Sequence, residues 1–165
     1  MSLSREILAT YRGPGAVVAR LLSQGQREDR ALMLVMAACA LFFIAQMPAL
    51  ARDAYIGGVD LNPMLGGALL AWLVIAPLMF YLIAFVTFLV AKVFRSRITA
   101  YGARFALFWA LLAASPLVLL NGLVAGFLGA GLQLTLVGLL WFAVFLWFWI
   151  AGFDAARRQV AEVPA

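Results

Sequence analysis

The chain has 165 residues, of which 67% are hydrophobic and 12% charged, and its mean hydropathy is +1.06. This composition excludes an ordinary soluble globule and predicts one integral membrane domain. Lysine and arginine outnumber aspartate and glutamate by 12 to 7. The basic residues lie at the ends of apolar segments, where they set membrane topology and contact anionic headgroups, so we expect no nucleic-acid partner.

Two residue types that serve redox and metal chemistry are scarce. Histidine is absent, and cysteine occurs once, at Cys39. The chain therefore lacks the commonest ligand of haem, copper and zinc and the commonest proton shuttle, and it cannot form an intramolecular disulfide. Cys39 lies in an apolar segment and is predicted to be a small core residue. We expect no cofactor, no metal and no enzymatic activity.

Residues 1–30 are polar but patterned, and are expected to form a cytoplasmic segment. The first apolar stripe comprises Leu3, Ile7, Leu8 and Tyr11. A Gly-Pro-Gly turn at 13–15 separates it from a second stripe, which comprises Val17, Val18, Leu21 and Leu22. The pattern predicts two short amphipathic helices. They lie at the headgroup level or pack on the cytoplasmic ends of the bundle, and these two alternatives are compatible.

Four apolar segments are long enough to cross a bilayer. They cover 31–51, 64–91, 103–128 and 132–153, which together define a transmembrane domain over 31–153. Asn62 and Pro63 suit the N-cap and the first helical position of the second segment. A tail over 154–165 follows, and is expected to fray beyond Arg158. The sequence thus predicts an all-α integral membrane bundle of four transmembrane helices with short amphipathic N-terminal helices.

The distribution of basic residues predicts the orientation of this bundle. Five arginines precede the first span, four basic residues lie in 92–104 and two lie in the tail. The loop after the first span carries only Arg52. Because cytoplasmic loops are enriched in lysine and arginine, both termini are predicted to be cytoplasmic. The lipid-headgroup candidates are Arg20, Lys92, Arg95, Arg97 and Arg104.

Small and polar residues of spans two and three are predicted to mediate helix packing. The candidates are Gly66, Gly67, Pro77, Ser115, Pro116, Asn121, Gly122 and Gly126. Each proline is expected to kink its span. The glycines, including the GxxxG pattern at 122–126, permit close approach of another helix, whether from this chain or from a partner. We expect Asn121 to hydrogen-bond within the bundle.

Three stretches of the chain resemble the small bacterial members of the Yip1 family: TYRGPGAVVARLLSQGQREDRAL (10–32), LNPMLGGALLAW (61–72) and YGARFALFWALLAASPL (101–117). This family consists of multi-pass membrane proteins with a cytoplasmic amphipathic N-terminus and a compact bundle. It is usually described with five spans, whereas the charge pattern here gives four. The resemblance implies a non-enzymatic protein of the bacterial inner membrane that works by contact with lipids or other membrane proteins.

Two functions are consistent with these features. The leading hypothesis is a scaffold or accessory subunit that packs against membrane lipids, other membrane proteins or further copies of itself. The alternative is a small-solute transporter or channel subunit, with a path between spans two and three near Pro77, Pro116 and Asn121. Span interiors without charged residues favour the first hypothesis, since transporters usually place ionisable groups there.

Overall fold

The computed structural model describes residues 3–161, and within that range it is helical and has no strand. The elements are α1 (Leu3–Thr10), α2 (Pro14–Leu22), α3 (Glu28–Gly57), α4 (Leu61–Leu70), a π-helical turn (Ala71–Ile75), α5 (Ala76–Val93), α6 (Ala100–Ala113), α7 (Ser115–Phe127) and α8 (Leu132–Ala161). The all-α class expected from the sequence is therefore correct.

Three of the described helices are long and apolar enough to cross a membrane. They are Glu28–Gly57, Leu61–Val93 and Leu132–Ala161. α6 and α7 are each too short, but they pass the same test together, with a bend of 44° between them. The number of described segments able to cross a membrane is therefore three, or four if the bent pair forms one span. The bend coincides with Pro116, where the sequence predicts one.

Pro77 has a different effect from Pro116. The helix Leu61–Val93 continues through Pro77, and the π-helical turn Ala71–Ile75 directly precedes it. At the end of this turn the N–H of Ala76 donates to the carbonyl of Ala71. A wider turn accommodates the proline ring and its missing N–H group. Pro77 thus changes the winding of its helix, whereas the 44° bend lies at Pro116.

Several helix boundaries differ from those expected. α3 continues to Gly57, so the loop after it is much shorter than predicted. The N-cap of α4 is Asp60, whose carboxylate accepts from the N–H of Asn62 at 3.0 Å. Asn62 is therefore inside the helix and is not its cap. α8 runs to Ala161 without fraying after Arg158; the rest of the predicted tail, 162–165, lies outside the described residues.

α6 lies at the centre of the bundle. All its residues from Tyr101 to Ala113 except Arg104 are buried, because α3, α5 and α8 pack around it and α1 and α2 contact it. The span formed by α4 and α5 is peripheral, and only Pro77, Ala84 and Ala91 are buried in it. The most central helix is thus half of the bent pair, whereas the longest apolar helix is, together with α8, the least buried of the three long helices.

α1 and α2 form a hairpin that packs against α6 and α8. Val18 is fully buried, and the ring of Tyr11 meets the ring of Phe148 edge-on at 4.9 Å between centroids. Along α2, the side-chain amide of Gln159 donates to the carbonyl of Ala19 at 2.6 Å. The hairpin therefore packs on the bundle, which was one of the two alternatives; its depth relative to headgroups stays a prediction.

The buried face of α1 differs from the predicted apolar stripe. Leu8 is 67% exposed, whereas Glu6 and Thr10 are buried. Hydrogen bonds compensate for this burial: the Thr10 hydroxyl donates to the Glu6 carbonyl at 2.8 Å, and Arg20 pairs with the Glu6 carboxylate. Polar residues can face the bundle because each finds a partner there.

Candidate functional site

The closest helix contact lies between α3 and α7, which run parallel. A Cβ atom added at Gly122 would lie 2.6 Å from the carbonyl carbon of Ala45, and one at Gly126 would lie 2.8 Å from that of Pro48. Both distances are shorter than real Cβ contacts, so only glycine fits at either position. The GxxxG pattern therefore finds its partner within this chain, a choice that the sequence left open.

Polar contacts join both ends of α3 to the bent pair of α6 and α7, and Arg104 belongs to α6. At one end, Arg104 pairs with Glu28 at 2.5 Å. At the other, the guanidinium of Arg52 donates to the carbonyls of Gly126 and Phe127, both at 3.2 Å. These are terminal carbonyls of α7, where a cation complements the helix dipole. The arginine expected in a loop is thus a helix cap.

A hydrogen-bond chain joins the N-terminal hairpin to the centre of the bundle. The indole N–H of Trp109 donates to the Thr10 hydroxyl at 3.1 Å, and that hydroxyl donates onward to Glu6. Trp109 is 2% exposed and belongs to α6. Because indole and hydroxyl are buried, each depends on the other for its hydrogen bond.

A second feature of the apolar region is a cavity of about 390 Å³ between α3, the π-helical turn, α7 and α8. Asn121 lines it, and its side-chain oxygen is buried without a hydrogen-bond partner among the described residues. The indole nitrogen of Trp141, which also lines the cavity, is likewise unpaired. Trp72 donates to Gln46 at 2.7 Å on the cavity wall. Two residues that line the cavity thus each have a buried polar atom without a partner.

The path expected between Pro77, Pro116 and Asn121 differs from this cavity, since only Asn121 lines it. Ser115, beside Pro116, is 3% exposed at the bend. Pro77 is buried at the start of α5. The three expected path residues are therefore not gathered around one space.

Gly66 and Gly67 leave open space where a side chain would begin, as judged against residues 3–161. A Cβ atom added at either residue would have no atom within 4 Å, apart from its chain neighbours and the nearby backbone of its own helix. Gly67 and Ala71 instead line an open groove of about 700 Å³ between α3 and the second apolar helix. We call it the small-residue groove. Gly67 permits a close approach there that no described helix of this chain makes.

The five headgroup candidates fall into two groups. Arg20 and Arg104 form ion pairs with Glu6 and Glu28. Lys92, Arg95 and Arg97 are exposed, and none forms a salt bridge with a residue in 3–161. Lys92 lies 5.2 Å from the centre of the Phe88 ring. The three candidates without a salt bridge among the described residues therefore lie in the last turn of α5 or shortly after it.

No protein-family model, curated protein or solved structure matches the chain.

The functional assignment accordingly depends on the geometry of this chain. Between Leu3 and Ala161 no group of three or more histidine, cysteine, aspartate or glutamate side chains is placed to hold a metal ion. The described features are a glycine-mediated helix contact, a small polar cavity, an open small-residue groove and exposed basic residues. Each of them suits binding or packing.

Sequence reasoning missed three contributors to these features: Arg52, Thr10 and the Trp72–Gln46 pair. The role of Arg52 could have been predicted, because it is the only basic residue in its predicted loop. A single charge beside an apolar segment is expected to have a polar partner. The role of Thr10 could not have been predicted from a local pattern, since its hydrogen bond with Trp109 joins residues 99 positions apart.

Proposed function

We propose that this chain is a non-enzymatic integral membrane protein that acts by packing against other membrane proteins or lipids, as a scaffold or accessory subunit. The observation that carries the proposal is the exposure of the second apolar helix. Only 11% of its most apolar window is buried within the chain. Along this helix lies the small-residue groove, which suits the close approach of a partner helix.

A comparison of the two glycine pairs supports this proposal. Glycine in a helix interior costs about 1 kcal/mol relative to alanine, so its presence calls for a compensating contact. Gly122 and Gly126 have that contact, with α3. Gly66 and Gly67 have none within the chain. A helix of another membrane protein, or of a second copy, would supply it.

The proposed setting is the bacterial inner membrane, with four spans and both termini in the cytoplasm. Support for this orientation comes from the charges: the single basic residue at the far end of α3 is Arg52, and the remaining basic residues lie in 1–30, 92–104 and 157–158. The setting also agrees with the resemblance to bacterial Yip1 proteins, which is itself an inference from sequence.

Replacing Gly67 by Ile is expected to release a bound partner without unfolding the chain. The added side chain would fill the small-residue groove, but it meets no atom of its own chain within 4 Å at its Cβ. The test extracts the full chain from its native membrane in mild detergent and identifies co-purifying proteins by mass spectrometry. The wild-type chain should carry a stoichiometric partner or a second copy, and the variant should lose it.

The matched control is Leu82→Trp, a bulky change at a residue of the same helix that is 53% exposed and does not line the small-residue groove. It should retain the partner. A chain that elutes alone and monomeric, or a Gly67→Ile variant that keeps its partner, would contradict the proposed interaction face.

The alternative function, a small-solute transporter or channel subunit, is favoured by one observation, the cavity at Asn121 with its unpaired acceptor and donor. Replacing Asn121 by Leu is expected to abolish flux if this function is correct. Stability should be unchanged or slightly raised, because an unsatisfied buried polar group is removed. Glycerol entry into proteoliposomes, followed by stopped-flow light scattering, measures the effect. Equal rates for wild type, variant and empty liposomes would eliminate this alternative.

A further inference from the structure

A groove of about 1110 Å³ opens between the end of α5 and the end of α8. Its walls include the apolar side chains of Val90, Phe94 and Ile150. The ionisable residues that line it are Arg95, Arg97, Asp154, Arg157 and Arg158. We call it the basic groove. An apolar wall with a cluster of arginines at one level matches the two parts of an anionic lipid.

The balance of charge in the basic groove is positive. Asp154 accepts from Arg157 at 2.8 Å and from Arg158 at 2.6 Å. It is the only acidic residue lining the groove within 3–161, and Arg95 and Arg97 are left without a carboxylate partner there.

Arg95 adopts a backbone conformation that disfavours its own side chain. Its φ is +55°, the only positive value at a non-glycine residue in the described range. It ends α5 in a Schellman motif: the Ser96 N–H donates to Ala91 and the Arg95 N–H to Lys92, both at 2.9 Å. Glycine is the usual residue at this position. The chain does use glycine at the left-handed end of α3, Gly58. An arginine here points to a use for its side chain.

Two unpaired polar atoms belong to residues of the same groove. The hydroxyl of Ser96 and the indole nitrogen of Trp149 are buried, and neither has a hydrogen-bond partner among the described residues. Buried polar groups are nearly always paired. Both atoms are shielded from solvent, so they are unsatisfied polar groups beside the groove and are not donors that face into it.

We propose that the basic groove binds one anionic glycerophospholipid. Arg95 and Arg97, which are both exposed, hold its phosphate, and its acyl chains follow the apolar wall between α5 and α8. Arginine suits phosphate because its guanidinium presents several donors in a fixed plane. The inference depends on the proposed membrane location but not on the protein partner proposed for the small-residue groove.

The test measures binding of defined lipids to the purified full chain in neutral detergent by native mass spectrometry. Phosphatidylglycerol should bind at one copy per chain, and phosphatidylcholine should not compete with it. Arg95→Gly should weaken binding about fivefold, the loss expected for one basic contact. The same variant should raise the melting temperature by about 2 to 4 °C, because glycine relieves the backbone strain. Weaker binding by a more stable protein cannot be due to unfolding.

Two further variants complete the experiment. Lys92→Gln removes one charge from the same helix end but does not line the basic groove, so it should leave binding within twofold of wild type. Asp154→Asn should tighten binding, because it frees Arg157 and Arg158. Equal losses for Arg95→Gly and Lys92→Gln would overturn the proposal in favour of a diffuse surface charge.

Other occupants of the basic groove give distinct results. Displacement of the lipid by inorganic phosphate at equal concentration would assign the groove to a soluble phosphate compound. Lipid binding that appears only after removal of residues 162–165 would assign it to the chain's own C-terminus. Either result overturns the inference. Co-purification of the protein partner should be unchanged in Arg95→Gly. Lipid binding to the basic groove and partner binding to the small-residue groove can therefore be tested independently.

Discussion

Gly122→Ala should be among the most destabilising single substitutions in this protein. The new methyl carbon would lie 2.6 Å from the carbonyl carbon of Ala45 and 3.0 Å from its Cα. These are backbone atoms, so no side-chain rotation relieves the contact, and α3 and α7 must separate. Overpacking of a well-packed core typically costs about 1–3 kcal/mol, and a clash with backbone lies at or above the top of that range.

The effect on stability should be measured as a decrease in the melting temperature in detergent. The fraction of protein that still elutes as a monodisperse peak in size-exclusion chromatography after heating gives a second measure. Gly66→Ala is the matched control, because a Cβ there meets nothing within 4 Å. The control should be neutral or stabilising, by up to about 1 kcal/mol, since alanine favours the helix. If the two variants melt at the same temperature, the α3–α7 contact is not as close as described.

Trp109→Ala is expected to have an effect of similar size by a different mechanism. The side chain is the largest in the fully buried core, and removing it leaves a cavity that costs about 3–5 kcal/mol. The substitution also removes the donor to Thr10. The N-terminal hairpin should therefore open more often, which hydrogen exchange of α1 and α2 would detect as faster amide exchange.

Thr10→Val separates the hydrogen bond from the cavity. It keeps the shape of the side chain but leaves the Trp109 indole without its acceptor, at an expected cost of about 1–3 kcal/mol. Exchange should accelerate in α1 and α2 while α3 and α8 keep their protection. Trp147→Ala, at a tryptophan that is 49% exposed, should change neither measurement. Uniform acceleration across all helices in Thr10→Val would show that the hairpin is not a separate unit.

The helices themselves could be predicted because long uncharged runs have few other structures available to them. Which helix lies at the centre could not be predicted from hydropathy. The most apolar helix, Leu61–Val93, is the least buried, together with α8. Lipid is as apolar as a protein core, so the hydrophobic effect does not favour moving an apolar helix from lipid to the centre of a bundle. Small residues indicate the central helix better than hydropathy does, because they allow neighbouring helices to approach closely. In α6 the buried small residues include Gly102, Ala103, Ala106 and Ala110.

The candidate sites could be predicted only in part. Gly122 and Gly126 were recognised as packing residues, but the identity of their partner depends on how the helices are arranged in space. Arg95 was recognised as a basic residue near the membrane surface. Its left-handed backbone conformation was not predicted. Arg157 lines the same groove, but the two residues are more than 60 positions apart in the sequence, so no local pattern could place them together.

The parallel pairing of α3 with α6 and α7 has a consequence for biogenesis. Arg52 caps carbonyls that lie 74 and 75 residues later in the chain. At translation rates of about 5–20 residues per second, α3 leaves the ribosome roughly 4–15 s before its partner has been made. During this interval the close-contact surface around Ala45 and Pro48 is open, and the Arg52 guanidinium lacks the carbonyls that it will cap. α3 therefore stays without this partner until α7 has been made.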